Sequence, residues 1–285
     1  MKVLIVVNSG KENASRKSVE LQKWLEAKGV ESSMINANDI FVNGLVTDRA
    51  KSAIEGVELV CSLGGDGTLM SSAQLVFDHP APVLGFNFGH LGFLTGATPD
   101  SMFEAVQAAL NHKLDEEVRC ALNITLENYD GTTMHYTALN EVAITRGITG
   151  KMINFDITID GDLLSSIRAD GAIVSSPSGS TAYSLSAGGP ILSPTLSCMV
   201  VVALAPHSLI SRALVTGEDE TVCILPEETS GKDCSVFIDG NLVRVQKSPK
   251  SIVATVRKDA ITLLKYNVPG FTRAASRAFF GGTND

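Results

Sequence analysis

Glu58-Leu59-Val60-Cys61-Ser62-Leu63-Gly64-Gly65-Asp66-Gly67-Thr68 is the stretch that decides the fold. Its first half is a short, nearly continuous apolar run, the pattern of a strand that a parallel sheet buries on both faces. Its second half sets three glycines around one carboxylate, and a helical pattern follows from about Thr68 to Phe77. Strand, glycine turn and helix in that order make one βα unit.

The neighbouring segments repeat the unit. Lys2–Val7 is another buried strand, followed over Ala14–Lys28 by a helix with Val19, Leu21, Trp24 and Leu25 near helical spacing and Gly29 as its stop. Pro82–Phe86 reads as a strand and Pro99–Asn111 as a helix carrying Met102, Phe103, Val106 and Leu110 on one side. Alternation of this kind predicts an α/β N-terminal domain over 1–115 with an open, mostly parallel sheet.

The texture changes near residue 115. Leu122–Leu126, Thr132–Ala138, Ile153–Ile159, Ser235–Ile238, Leu242–Val245, Ser251–Val256 and Ile261–Leu264 read as strands. Asp130-Gly131, Asp160-Gly161 and Asp239-Gly240 mark three hairpins, because a type I′ turn needs two residues that tolerate φ > 0. The expectation is an all-β, sandwich-like C-terminal domain over 116–267, with the apolar tail 268–285 packing back on the first domain.

Composition narrows the class. Of 285 residues, 23 are Lys or Arg and 31 Asp or Glu, a net charge of −8 that disfavours nucleic-acid binding. Apolar residues at 44% against 19% charged ones exclude a disordered chain. The longest apolar stretch, Cys198–Pro206, is far short of the ~20 residues of a membrane helix, so no membrane partner is expected. Five cysteines, an odd count with no close pair, read as reduced thiols in a cytoplasmic protein.

Three segments carry candidate chemistry. In Gly64–Thr68 the glycines let a ligand approach the backbone, and the helix N-terminus offers N–H groups to an anion. A carboxylate there suits a group that takes a proton from an attacking hydroxyl or holds a phosphate-bridging cation; as a bare turn, Asp66 would only cap the helix. The second segment, Gly85–Thr95, follows a strand on the same sheet edge, with glycines and aromatics suited to a flat ring that Phe93 would cover. The third, Ser176–Pro190 after Arg168-Ala169-Asp170-Gly171, holds seven hydroxyl side chains between Ser176 and Ser186 ahead of a Gly-Gly-Pro stop. Asn140-Glu141 interrupts a β run over Tyr136–Ile144, a polar pair that invites a site reading. There is no P-loop, no G-x-G-x-x-G after the first strand and no metal-ligand spacing among the five histidines, so any metal would arrive on substrate phosphates.

Together GGDGT (64–68), GHLGFLTG (89–96), NE (140–141), SPSGSTAYSLSAGGPI (176–191) and PHSLISR (206–212) resemble the NAD kinase family. Lipid kinases and phosphofructokinases carry versions of GGDGT, but the serine-rich segment beside NE is far more specific. A lipid kinase would need an apolar entry groove, and a silent NAD sensor would not need Asp66. The resemblance implies a site between the two domains, where ATP, or polyphosphate, phosphorylates the adenosine-ribose 2′-hydroxyl of NAD to give NADP. Mg²⁺ would be bound through the ATP phosphates. It further implies Asp66 as proton acceptor with Gly67 as its backbone partner, Phe93 near the adenine, and Asn140 and Glu141 gripping the ribose. Thr181, Ala182, Tyr183, Ser184, Leu185 and Ser186 would make adenine-side contacts. Asp170 would touch the other part of NAD through a neighbouring subunit of a dimer or tetramer. Lys151, Arg168 and Asn241 also fall at substrate-contacting positions. Ser176-Pro177-Ser178 replaces the family's usual Thr-Pro-Thr, and Ala213 stands where Pro is usual.

Overall fold

The computed structural model describes residues 1–42, 45–89, 92–208, 210–227, 234–243 and 249–281. The chain forms two units, Met1–Val118 with Ile261–Asp285, and Arg119–Ala260.

The first unit begins with β1 (Lys2–Val7), α1 (Glu12–Ala27), β2 (Glu31–Asn36) and the small hairpin of β3 (Phe41–Val42) and β4 (Leu45–Val46). It continues with α2 (Asp48–Ile54), β5 (Leu59–Gly64), α3 (Asp66–Val76), β6 (Val83–Asn87) and α4 (Met102–Leu110). β2, β1, β5 and β6 pair side by side, all parallel, as the buried apolar runs predict. The chain leaves β1 toward β2 on one side, while β5 lies on the other side. The carboxyl ends of β1 and β5 therefore flank a switch point, the place where open α/β sheets bind ligands. Leu21 and Leu25 of α1 and Met102 and Val106 of α4 bury against Ile5, Cys61 and Phe86 of the sheet. β2, which carries a mixed polar sequence, escapes the apolar-run criterion.

The second unit contains β7 (Asp115–Glu127), which enters from the first, β8 (Thr133–Ala138), β9 (Glu141–Arg146), β10 (Ile153–Ile159), β11 (Asp162–Ala169) and β12 (Gly171–Ser175). The short α5 (Tyr183–Ser186) precedes β13 (Met199–Leu204), β14 (Leu214–Thr216), β15 (Val222–Pro226), β16 (Cys234–Ile238), β17 (Asn241–Val243) and β18 (Ser251–Lys265). One sheet runs β14-β13-β12-β9-β16-β17; the other runs β11-β10-β15-β18 with β7 and β8 beyond. Val142 and Ile144 of the first sheet and Phe155, Ile224 and Leu122 of the second share one core, which makes this unit a β-sandwich.

Several boundaries differ from the sequence reading. Ser251–Val256 and Ile261–Leu264 are one strand, since the polar Arg257-Lys258-Asp259 between them is a bend, with Asp259 at φ 47°, rather than a break. The distal part of β18 returns to the first unit, where Leu263 pairs with Val83, and α6 (Phe271–Phe279) follows. Tyr136–Ile144 is not one run: β8 ends at Ala138 and β9 starts at Glu141, so Asn140 lies in a corner. All three Asp-Gly pairs close hairpins, two with both residues at positive φ (Asp160 50° and Gly161 88°; Asp239 48° and Gly240 75°). In the third, only Gly131 is at positive φ and Asn128 N–H bonds Thr132, which makes a longer loop. Residues 244–245 of the expected strand, and 282–285 of the tail, lie outside the described residues.

Candidate active site

Candidate residues gather in two clefts, one in each unit. In the first, the turns Asn8–Lys11 after β1 and Gly64–Gly67 after β5 meet in a cavity of about 470 Å³, lined also by Asn38, Thr68, Ser71, Asn87 and Gly89. Thr68 N–H at the start of α3 is bonded to the Gly65 carbonyl at 3.0 Å, which leaves the N–H groups of Asp66 and Gly67 as the helix-start donors beside this cavity. Lys11 Nζ donates to the Gly64 carbonyl at 3.3 Å, which places a cation over the glycine turn.

Asp66 is the first residue of α3, two residues earlier than the sequence pattern suggests, with Gly65 as N-cap at extended φ −175°. Its Oδ2 accepts the Phe93 backbone N–H at 3.0 Å, while Oδ1 is buried with no protein partner. A Cβ on Gly92 would stand 2.1–2.4 Å from the carboxylate atoms, so only glycine lets this loop close over Asp66. Phe93 itself does not line the cleft. Its ring stacks on Phe279 of α6, 5.5 Å between centroids at 4°, and tilts against Phe271 at 6.0 Å. His90 and Leu91 of the same motif lie outside the described residues, as does Leu209 of the 206–212 motif.

The cleft of the second unit, about 660 Å³, is lined by Glu141, Ala143 and Thr145 of β9, with Arg146, Asp170, Tyr183, Ser186, Ala187, Leu204, Ala205, Phe237 and Gly240. Alternation along β9 sends Val142 and Ile144 into the sandwich core and the residues between them into the cleft. Arg146 and Asp170 form an ion pair of 3.0 Å, partly exposed. Glu141 is only 6% exposed, and its Oε2 has no partner. Burial, with the negative charge of Asp239 adding to it, pushes Glu141 up to about 8. At neutral pH it is therefore a hydrogen-bond donor as well as an acceptor.

Of the expected substrate contacts, Glu141, Asp170, Tyr183 and Ser186 line this cleft. Asn140 stands beside it in the β8–β9 corner. Thr181, Ala182 and Leu185 are half-buried outside the lining, Ser184 is fully buried, and Lys151, Arg168 and Asn241 are exposed away from it. Four hydroxyls of the serine-rich segment bond within the protein. Ser176 donates to the Leu139 carbonyl, Ser180 to Pro177 at 2.7 Å and Thr181 to Ser178 at 3.3 Å, while Ser178 accepts from Arg119 at 3.1 Å. A short 3₁₀ turn and a single helical turn, not a full helix, occupy Ser178–Ser186, while the buried Ser184 hydroxyl has no protein partner. Gly179 is needed there because a Cβ would meet the Asn140 carbonyl at 2.3 Å. Sequence reasoning missed Lys11, Asn38 and Asn87 in one cleft and Thr145, Arg146 and Phe237 in the other. The Asn8–Lys11 turn after the first strand carried the signal for Lys11.

A glycine turn carrying one carboxylate at a helix start, in a cleft with Lys11, has the make-up of a phosphate-handling site. Residues 3–114 match the ATP-NAD kinase N-terminal domain and residues 139–260 the ATP-NAD kinase C-terminal domain. The NAD kinase of Koribacter versatilis is 36% identical over 267 residues, 92% of either chain, and that of Prosthecochloris aestuarii is 35% identical over 93% of this chain and 92% of its own. The chain belongs to the NAD kinase family. Two solved structures share the fold at 24% identity. They are a yeast NADH kinase complexed with NADH (TM-score 0.86, all of this chain and 89% of that one) and an Archaeoglobus fulgidus NAD kinase in complex with ATP (TM-score 0.74, 99% and 98%).

Proposed function

We propose that the chain transfers the γ-phosphoryl group of ATP, or the terminal one of polyphosphate, to the adenosine-ribose 2′-hydroxyl of NAD, giving NADP. The observation that supports this reading is the state of Asp66: one oxygen clamped by Phe93 N–H, the other buried and unpartnered beside a glycine turn. The free oxygen takes the proton of the 2′-hydroxyl as its oxygen bonds to the γ-phosphorus, and the bond from that phosphorus to the β-phosphate oxygen breaks to release ADP. Lys11 and the N–H groups of Gly65–Gly67 receive the phosphates, and the second cleft receives the adenosine half of NAD.

Asp66 is the one carboxylate in the lining of its cleft, and no group of three His, Cys, Asp or Glu gathers among the described residues. That donor set fits Mg²⁺ carried in on the ATP phosphates, with Asp66 as its carboxylate neighbour; bound there, it would neutralise phosphate charge. We also infer a cytoplasmic homo-oligomer, dimer or tetramer. All five thiols are free, no described helix is long and apolar enough to cross a membrane, and the edge strands β14 and β17 expose Val215 and Leu242. Sedimentation as a fully active 30.1 kDa species at micromolar concentration would overturn the oligomer.

The primary test incubates the protein with NAD, ATP and Mg²⁺ and measures NADP, with polyphosphate and NADH as parallel arms. NADP formation that tracks the protein is expected. Its absence in a folded preparation that still binds NAD would overturn the reading in favour of a binding protein.

A further inference from the structure

We infer that Asp239 is a positioning residue of the nucleotide cleft, holding the corner Leu139–Glu141 in the one conformation that presents Asn140 and Glu141 to substrate. The inference rests on the NAD-binding reading of that cleft. Asp239 opens the β16–β17 hairpin at φ 48°, a position where Asn serves a turn equally well. Its side chain nevertheless does more than the turn requires. Oδ2 accepts the Leu139 N–H at 2.8 Å, and Oδ1 accepts the N–H groups of Asn140 at 2.7 Å and Glu141 at 3.2 Å. Three converging donors call for a group with two acceptor oxygens and no hydrogen of its own, which a carboxylate supplies and a carboxamide does not.

The carbonyls of the corner are fixed as well. Leu139 takes the Ser176 hydroxyl, Asn140 takes Ser176 N–H at 2.8 Å and Ser175 Oγ at 3.2 Å, and Glu141 takes Asp239 N–H at 3.0 Å. Every backbone polar group from Leu139 to Glu141 is thus engaged. Against this fixed frame, the Glu141 Oε2 is buried and has no partner while lining the cleft. A buried polar atom left over in a fully satisfied corner points to a ligand.

The molecule supplies its own control. Asp160 opens the β10–β11 hairpin at φ 50°, and its Oδ1 accepts a single N–H, that of Thr221 at 2.8 Å, away from either cleft. Asp160 and Asp239 share a turn type and differ in what the carboxylate organises.

The test compares Asp239→Asn and Asp160→Asn in the full chain by steady-state kinetics, after wild-type NADP formation has tested the underlying reading. D239N is expected to raise KM for NAD about tenfold or more and leave KM for ATP within about twofold, whereas D160N leaves both within about twofold. Asp239→Ser, which keeps one acceptor on the same turn, should fall between wild type and D239N and stands in if D239N does not fold. In D239N with Asn140→Ala, the loss in kcat/KM for NAD should be less than the product of the single losses. A folded D239N or D239S with a wild-type KM for NAD, equal rises for both substrates, or strictly multiplicative losses in the double variant would overturn the assignment.

Discussion

The first cleft is made of backbone and amide groups gathered at the ends of parallel strands, and its one carboxylate is left half free. The second is made of side chains on one face of a sandwich sheet, and its buried carboxyl is held uncharged. Asp66 has a fixed oxygen and an open one beside potential anion donors. Glu141 is surrounded by protein, with Asp239 behind it and Arg146, Asp170 and Tyr183 around the same cleft. The comparison teaches that two acidic residues in clefts of one molecule can be held in different ways: one gripped by a backbone N–H with its second oxygen unpartnered, the other buried and kept protonated near neutral pH.

One carboxylate-to-amide change tests that contrast at both sites. Asp66→Asn should lower kcat by about 10²–10⁴-fold and spare NAD affinity, because the amide cannot take a proton. A folded variant turning over within tenfold of wild type would erase the contrast and leave Asp66 a structural acceptor for the Phe93 N–H.

At Glu141 the same change should be mild at pH 7, since glutamine resembles the protonated carboxyl. Its effect belongs to the pH dependence of stability. Glu141 is raised from 4.5 to about 8 in the folded chain, so the unfolded chain loses that proton first. Stability therefore falls as pH rises from about 4.5 to 8 and levels off above it, by at most about 5 kcal/mol for this group. Urea unfolding of Glu141→Gln should show that slope removed, with the gain largest at pH 9; parallel curves for variant and wild type would sink the neutral-donor assignment.

Gly92→Ala sharpens the first half of the comparison. Its Cβ would force the carboxylate off the Phe93 N–H, and displacement of a reacting group by about 1 Å costs up to about 10²-fold, so kcat should fall by about 10–100-fold with KM for NAD little changed. An unaltered kcat would mean that the clamp is not needed. The smallest effect is expected from Phe279→Ala. Loss of the stack on Phe93 should cost about 1 kcal/mol of stability and reduce kcat less than tenfold, read from denaturant midpoints and single-turnover rates.

The two clefts also explain which parts were legible in the sequence. A site built from backbone must be written in glycine, so Gly64–Gly67 announced both a βα turn and its ligand edge. Glu141, Ala143 and Thr145 occupy every second place in a strand and look like any half-buried strand, so the partners Thr145, Arg146 and Phe237 gave no signal. Within the serine-rich segment the sequence did not separate hydroxyls that brace the turn, such as Ser176 and Ser180, from Tyr183 and Ser186, which line the cleft. For Lys11 the signal was only its place in the turn after β1; its contact with the Gly64 carbonyl requires β1 and β5 side by side.

The stack of Phe93 on Phe279 has a consequence for biosynthesis. The glycine turn and its strand emerge from the ribosome early, but the loop whose N–H holds Asp66 rests its ring on Phe271 and Phe279, made much later. A nascent chain that already displays the GGDGT motif therefore lacks the ring packing of that loop until translation has delivered the last helix.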